Sequence, residues 1–332
     1  MTLSLRASFS LQRSQNRNTT LSLFLIRTLV PILIWCTCTI LPCESSPAVQ
    51  TLEEMTIQHA PFTHCHHPSC IMRVVLSIRL ATTSPTNSVL IVIAMEAEAK
   101  PFVEHLDLLK DDNFFPSHVP FHAFSGTHNG SRVTVVTNGK DHIYETGVDN
   151  CGTVPAAVVS FLALEKLKDV PSLVLINAGT CGGFQRKGAA IGDVFLTTGV
   201  ANHDRRIPIP DFIPYGVGKL DTKVSVLNMA AALGFKTGVC TTGNSLDKTE
   251  EDDKHMLAND ASVKDMEAAA IAWSCALHQV PYLGLKVVTD IVDGNFATQD
   301  EFLENLHTAS QSLQKALPNV LEYIVGKQHH EL

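Results

Sequence analysis

Residues 89–106 read VLIVIAMEAEAKPFVEHL, and this passage decides the fold class. Val89 to Met95 is a continuous apolar run, which predicts a strand covered on both faces. The acids that follow it have the composition of a helix start, with Glu96 and Glu98 in the first turn. The same alternation continues downstream. RVTVVTNG (132–139) predicts a strand, VPAAVVSFLALEKL (154–167) a helix, SLVLINAGT (172–180) a buried strand, and CGGFQRKGAAIGD a glycine-rich loop. DVFLTTGV predicts a strand, 224–233 a helix, and GVCTTGN (238–244) another strand. ASVKDMEAAAIAWSCALHQ (261–279) predicts a helix, YLGLKVVTD (282–290) a strand, and QDEFLENLHTASQSLQKALPNVLEYI a long closing helix. Residues 89–328 are therefore expected to form one α/β domain, without an internal repeat.

The remaining 88 residues have a different character. Of the 25 Lys and Arg in the 332-residue chain, six lie in residues 1–88 against three acids, a net of +3; residues 89–332 hold 19 bases and 30 acids, a net of −11. With 45% hydrophobic and 17% charged residues the chain is not largely disordered, and the acidic part is a poor phosphate binder. Nucleic acid is excluded as a partner, and a small neutral or cationic ligand is expected. Residues 1–43 carry four arginines, no acid, and the apolar run LVPILIWCTCTILPC (29–43). That run is too short to span a bilayer; it reads as a signal or organelle-transit segment, or as residues upstream of the true start. The expected compartment is cytoplasmic, or organellar or secretory if this segment is a functional address, with no stable membrane association of residues 89–328. The cluster THCHHPSC (63–70) matches no zinc spacing and reads as a linker, so no metal is expected. Cys151, Cys181, Cys240 and Cys275 are expected to be buried small hydrophobes.

Ligands of open α/β sheets bind beyond the carboxyl ends of the strands. Three carboxylates fall at such places: Glu98 after the first strand, Glu267 at the start of an Ala-rich helix, and Asp290 at the end of VVTD. Acids in a first helical turn complement the helix dipole without any chemistry, which accounts for Glu96, Glu98 and Asp265 taken singly. Glu267 and Asp290 stand among apolar residues and need partners; a semi-buried acid of this kind keeps its proton near neutral pH and can act as a general acid. Gly179, Gly182 and Gly183 permit close approach of backbone to a ligand. No dinucleotide fingerprint, P-loop or nucleophile elbow occurs.

IAMEAEA, INAGTCGGF, TTGNSLD, KDMEAAAIA and KVVTDIVDG follow one another in an order and spacing that resemble the 5'-methylthioadenosine nucleosidases, most closely the plant type, over residues 89 to about 326. The resemblance implies a three-layer α/β/α nucleoside-phosphorylase-like fold around a central mixed sheet, and a homodimer. It implies hydrolysis of the N-glycosidic bond of methylthioadenosine in methionine salvage, with S-adenosylhomocysteine left open as a second substrate. Asp290 would protonate N7 of the leaving adenine and Glu98 would activate water. Glu267 would bind the ribose hydroxyls and Met266 pack on the sugar. Thr180 would lie near water and sugar, Leu246 flank the adenine, and the backbone at Asp247 read its Watson–Crick edge. NHDRRIPIPDFIPYGVG (202–218) would help form the dimer and the 5'-alkylthio pocket. Acid–base chemistry of this kind implies neither cofactor nor metal.

Two rivals are weighed on the same residues. A phosphorylase of this fold carries a Gly-Asp-Pro-x-Arg type loop where this chain has AMEAEA, and an arginine where it has Asn177. A carboxylate in the phosphate position repels a phosphate nucleophile and suits water. A non-catalytic storage-type relative need not keep Glu98, Glu267 and Asp290 together, as this chain does.

Overall fold

In a computed structural model of the chain, which describes residues 85–327, the apolar run that opens the domain is strand β1 (Ser88–Ile93), buried at every position. Val89, Ile91 and Ile93 enter one hydrophobic core, and Leu90 and Val92 enter another. A chain of period two divides its side chains in this way when helices cover both faces of its sheet.

The elements that follow are α1 (Glu96–His105), β2 (Leu109–Lys110), β3 (His122–His128), β4 (Ser131–Thr137), α2 (Thr153–Lys166), β5 (Leu173–Gly183) and β6 (Val194–Asn202). Next come α3 (Ile213–Val217), β7 (Leu220–Asp221), α4 (Val226–Leu233), β8 (Lys236–Thr242) and α5 (Glu250–Ala258). The chain closes with β9 (Ala261–Asp265), α6 (Ala268–His278), β10 (Tyr282–Ile291) and α7 (Thr298–Ile324). Phe102 of α1, Met229 of α4 and Leu313 and Leu317 of α7 fill the core on one face. Val159 and Ala163 of α2 and Ile271 and Ala272 of α6 fill the other. The result is the expected three-layer α/β/α arrangement.

The central sheet is mixed. β5 lies parallel to β1 on one side and to β10 on the other, and its last residues, Gly182 and Gly183, pair antiparallel with Lys264 and Val263 of β9. β10 pairs antiparallel with β6, β6 parallel with β8, and β8 parallel with β9. These pairings close β5, β10, β6, β8 and β9 into a ring. β1, β4, β3 and β2 extend from β5 as an open wing.

Two expectations are corrected. The stretch 261–279 is not one helix: Ala261–Asp265 is a fully buried strand held between β8 and the end of β5, and the helix begins only at Ala268. Pairing on both sides and burial of every side chain override the helical composition of the segment. Residues 181–183 are strand, not loop, and their glycines admit neighbouring side chains of the protein itself. A Cβ on Gly182 would lie 2.5 Å from Val292 Cγ2, and one on Gly183 2.7 Å from Ala189 Cβ.

Strand β3, which pairs with the expected strand β4, and helix α5 were missed although their signals are legible. The hairpin of β3 and β4 turns at Asn129-Gly130, with φ of 50° and 80°. α5 starts with a capping box in which Thr249 and Asp252 exchange side-chain-to-backbone bonds. The amino-terminal apolar run and the THCHHPSC cluster lie outside the described residues. Among the described residues no helix is long and apolar enough to cross a membrane.

Candidate active site

The site forms where the ends of β1, β5, β9 and β10 converge. Glu98 reaches it from the first turn of α1. The start of that helix is tied down by Asp149, whose Oδ1 accepts a bond from the Glu96 N–H at 3.0 Å while Lys140 donates to its Oδ2 at 2.7 Å. The Glu98 carboxylate turns back over the sheet. Its Oε1 accepts the backbone N–H and the hydroxyl of Thr180, both at 2.6 Å, and its Oε2 accepts the Met95 N–H at 3.3 Å. Gly179 lies beneath it, where a Cβ would come within 3.4 Å of Oε1. Burial raises the pKa of Glu98, and the bonds from Thr180 and the charge of Lys286 restrain the rise.

Asp290 stands just after an irregularity in the pairing of β10 with β5, between Val288 and Asp290, and faces Gly182. The Thr289 hydroxyl lies 2.8 Å from Asp290 Oδ1 and 3.1 Å from the Cys181 carbonyl. Its single hydrogen can serve either oxygen, so a protonated Asp290 can donate to Thr289 while Thr289 donates to Cys181. α7 clamps the strand end: Glu301 accepts the Ile291 N–H at 2.9 Å and Asn305 donates to the Thr289 carbonyl at 3.0 Å. Burial raises the pKa of Asp290, Glu301 adds to the rise, and Thr289 and Lys264 oppose it.

Glu267 and Met266 occupy the corner between β9 and α6, and both are half-buried. Glu267 precedes the first turn of α6, and its Oε1 accepts the Gly152 N–H, just before α2, at 2.8 Å. Its pKa is raised to about 7, first by burial and next by the neighbouring charge of Asp265. Beneath it runs a buried ion pair that sequence reasoning missed, Lys286 Nζ to Asp265 Oδ2 at 2.8 Å. Asp265 also accepts the Thr242 hydroxyl at 2.7 Å and the Ala268 N–H at 2.8 Å. Burial opposes both charges, yet each partner holds the other ionised, Asp265 below and Lys286 above its ordinary range. A second buried lysine, Lys264 of β9, donates to the carbonyls of Ser245 and Leu246, both at 2.7 Å. The visible signal for both was a lone lysine inside an apolar strand, LGLKVV and ASVKD.

Six of the seven residues singled out in the sequence line one cavity: Glu98, Thr180, Leu246, Met266, Glu267 and Asp290. Asp247 is not among its lining, and its side chain is exposed. Cys181, Cys240 and Cys275 are buried as expected, but Cys151 is exposed and lines this cavity, its thiol pushed up to about 12 by burial of the sulfur and the nearby carboxylates. Residues 202–218 do not line the cavity. They border a second depression with α2 and α6, lined by the exposed Val154, Trp273 and Tyr215; Leu277 of α6 and Phe212 and Ile213 of the 202–218 segment are exposed as well. Among the described residues no three His, Cys, Asp or Glu side chains are grouped to hold a metal ion.

A model of the phosphorylase superfamily matches residues 88–322. A 5'-methylthioadenosine nucleosidase of Arabidopsis thaliana is 44% identical over 249 residues, 75% of this chain and 91% of the relative. A 5'-methylthioadenosine/S-adenosylhomocysteine nucleosidase of the same plant is 41% identical over 244 residues, 73% of this chain and 94% of the relative. The solved apo structure of Arabidopsis thaliana 5'-methylthioadenosine nucleosidase superposes with a TM-score of 0.71 at 43% identity, covering 75% of this chain and 100% of its own.

Proposed function

The chain belongs to the phosphorylase superfamily and, within it, to the 5'-methylthioadenosine nucleosidases, and from its site we propose how it cleaves the bond between adenine and ribose. It is an N-glycosyl hydrolase that converts 5'-methylthioadenosine and water to adenine and 5-methylthioribose. The observation that carries the assignment of roles is the convergence of three carboxylates, Glu98, Glu267 and Asp290, on one cavity.

Departure of adenine leaves an oxocarbenium-like sugar, so the reaction calls for a proton on the base, a nucleophile at the anomeric carbon and negative charge beside the ribose. Asp290, whose protonated form is favoured by burial, gives its proton to N7 while the C–N electron pair goes to the base. Glu98 takes a proton from water as the water oxygen bonds to the anomeric carbon. Thr180 occupies Oε1 twice, which leaves Oε2, with its single long bond, as the atom that receives this proton. The two protons are levelled through solvent when products leave.

Glu267 holds the ribose hydroxyls, Met266 packs on the sugar, Leu246 covers the base, and the backbone at Asp247 reads its edge. The exposed apolar residues of α2, α6 and 209–215 fit burial against a second copy, so the acting unit is a homodimer. The reaction serves methionine salvage. A phosphorylase reading is disfavoured because a phosphate dianion would enter beside Glu98 and Glu267. Assay of the purified protein on methylthioadenosine with and without phosphate tests the proposal: adenine and free methylthioribose are expected under both conditions, and a pentose 1-phosphate product would overturn it.

A further inference from the structure

Lys264 lines the same cavity and has no part in the chemistry above. It is 5% exposed, and no carboxylate lies within ion-pair distance of its ammonium among the described residues, in contrast to Lys286 with its partner Asp265. Two of its three N–H bonds go to the main-chain oxygens of Ser245 and Leu246, at the turn that carries the base-binding residues. The third has no protein acceptor among the described residues. Burial works against the charge of such an ammonium and lowers its pKa, so nearby acids decide how far the charge is sustained.

We propose that Lys264 is a positioning residue for the leaving group: it pins the main chain that meets the base, and it is the cation beside which Asp290 is left ionised once its proton has passed to adenine. The inference rests on the assignment of Asp290 as the acid. In that step the Asp290 O–H bond breaks, an N–H bond forms on the base, and a carboxylate appears in a buried place. Asp290 and Lys264 are placed on either side of one residue, Gly182, which pairs with both, and both line the cavity; the other groups that act on Asp290 are Thr289 of its own strand, Cys181 of β5 and Glu301 of α7. Cys181 is held as the neutral thiol by burial and Glu301 repels, so Lys264 is the one cation among them. The charges of Asp290, Asp265, Asp247 and Asp252 in turn act on Lys264, with Asp290 the strongest of these in sustaining its charge against burial. His203, also nearby, is lowered to about 4 by burial and is neutral at physiological pH.

The two duties separate by substitution. Lys264→Met removes both the charge and the carbonyl contacts; Lys264→Gln keeps two N–H donors without the charge; Lys264→Arg keeps both. The Asp290 carboxyl is titrated by carbon-13 NMR in the full chain labelled at aspartate, its resonance assigned by its loss in Asp290→Asn. The midpoint is expected to rise by about one pH unit or more in Lys264→Met and Lys264→Gln and to stay near wild type in Lys264→Arg. Adenine affinity is expected to fall roughly tenfold in Lys264→Met and less in Lys264→Gln. An unmoved midpoint in either neutral variant that retains its fold would overturn the proposal, and Lys264→Gln serves if Lys264→Met does not fold. Phosphate-independent adenine release by the wild type is measured alongside. Its absence would defeat the functional reading, whereas its presence with an unmoved midpoint would defeat only the role of Lys264.

Discussion

Asp290 Oδ2 lies 2.6 Å from the point where residue 182 would carry a β-carbon, and residue 182 is glycine. The Asp290 carboxyl thus rests on bare backbone, at a distance no methyl group tolerates. Gly182→Ala should displace the Asp290 carboxyl and Val292 together, lowering kcat by about a hundredfold or more. Overpacking at this position should cost about 1–3 kcal/mol of stability. Steady-state kinetics beside a thermal melt check both; a folded alanine variant with full activity would refute the contact's importance.

Replacement of the acid itself should separate chemistry from binding. Asp290→Asn retains the shape but has no proton to transfer, so kcat is expected to fall by about 10²–10⁴-fold. Adenine binding, measured by calorimetry, should persist.

Thr180 offers a test of the base. Its hydroxyl bond favours the ionised form of Glu98, so Thr180→Val should raise the Glu98 pKa further. The ascending limb of kcat/KM against pH, which requires Glu98 ionised, should move to higher pH. A limb that stays in place or moves down would contradict the role given to Glu98.

The buried pair of Lys286 and Asp265 should be intolerant of half-removal. Lys286→Met leaves Asp265 charged and unpaired and is expected to cost about 3–5 kcal/mol in urea unfolding. The double replacement Lys286→Met with Asp265→Leu should recover a large part of that loss.

Glu267 should weaken the fold as pH rises. Its folded pKa, raised to about 7, exceeds that of the unfolded chain, so the native state binds the extra proton. The associated stability is complete below the unfolded value near 4.5 and is lost as pH climbs to about 7. Glu267→Gln should flatten this dependence and stabilise the protein at pH 7 by up to about 3 kcal/mol, while impairing turnover. Denaturant midpoints across pH 5–8 give the slope directly.

Much of this molecule is legible along the chain because its signals are local. β1 reads as a buried strand from seven consecutive apolar letters, and Glu98 and Asp290 stand out as acids at strand ends. What escapes is set by pairing between distant segments. Ala261–Asp265 carries a helix-like composition and becomes a strand because β8 and β5 flank it. The same event places Lys264 against the 245–246 carbonyls, a contact with no local trace. Gly182 reads as room for a ligand until the register of β10 shows that Asp290 fills that room. Cys151 is expected to be buried like the other three late cysteines, and the docking of α2 beside Glu267 brings it to the cavity instead.

The ring of β5, β10, β6, β8 and β9 carries Asp290, Lys264 and the corner of Glu267, whereas Glu98 arrives on α1, after the strand that begins the wing. On the roles proposed above, acid, sugar anchor and base-binding turn therefore share one closed ring, to which the water-activating group is attached from outside. A variant that lost only the seating of α1 on Thr180 is expected to keep a receptor for adenine nucleosides and shed the hydrolysis. On those roles the architecture thus separates holding the nucleoside from activating water, and the second can be lost with the ring unchanged.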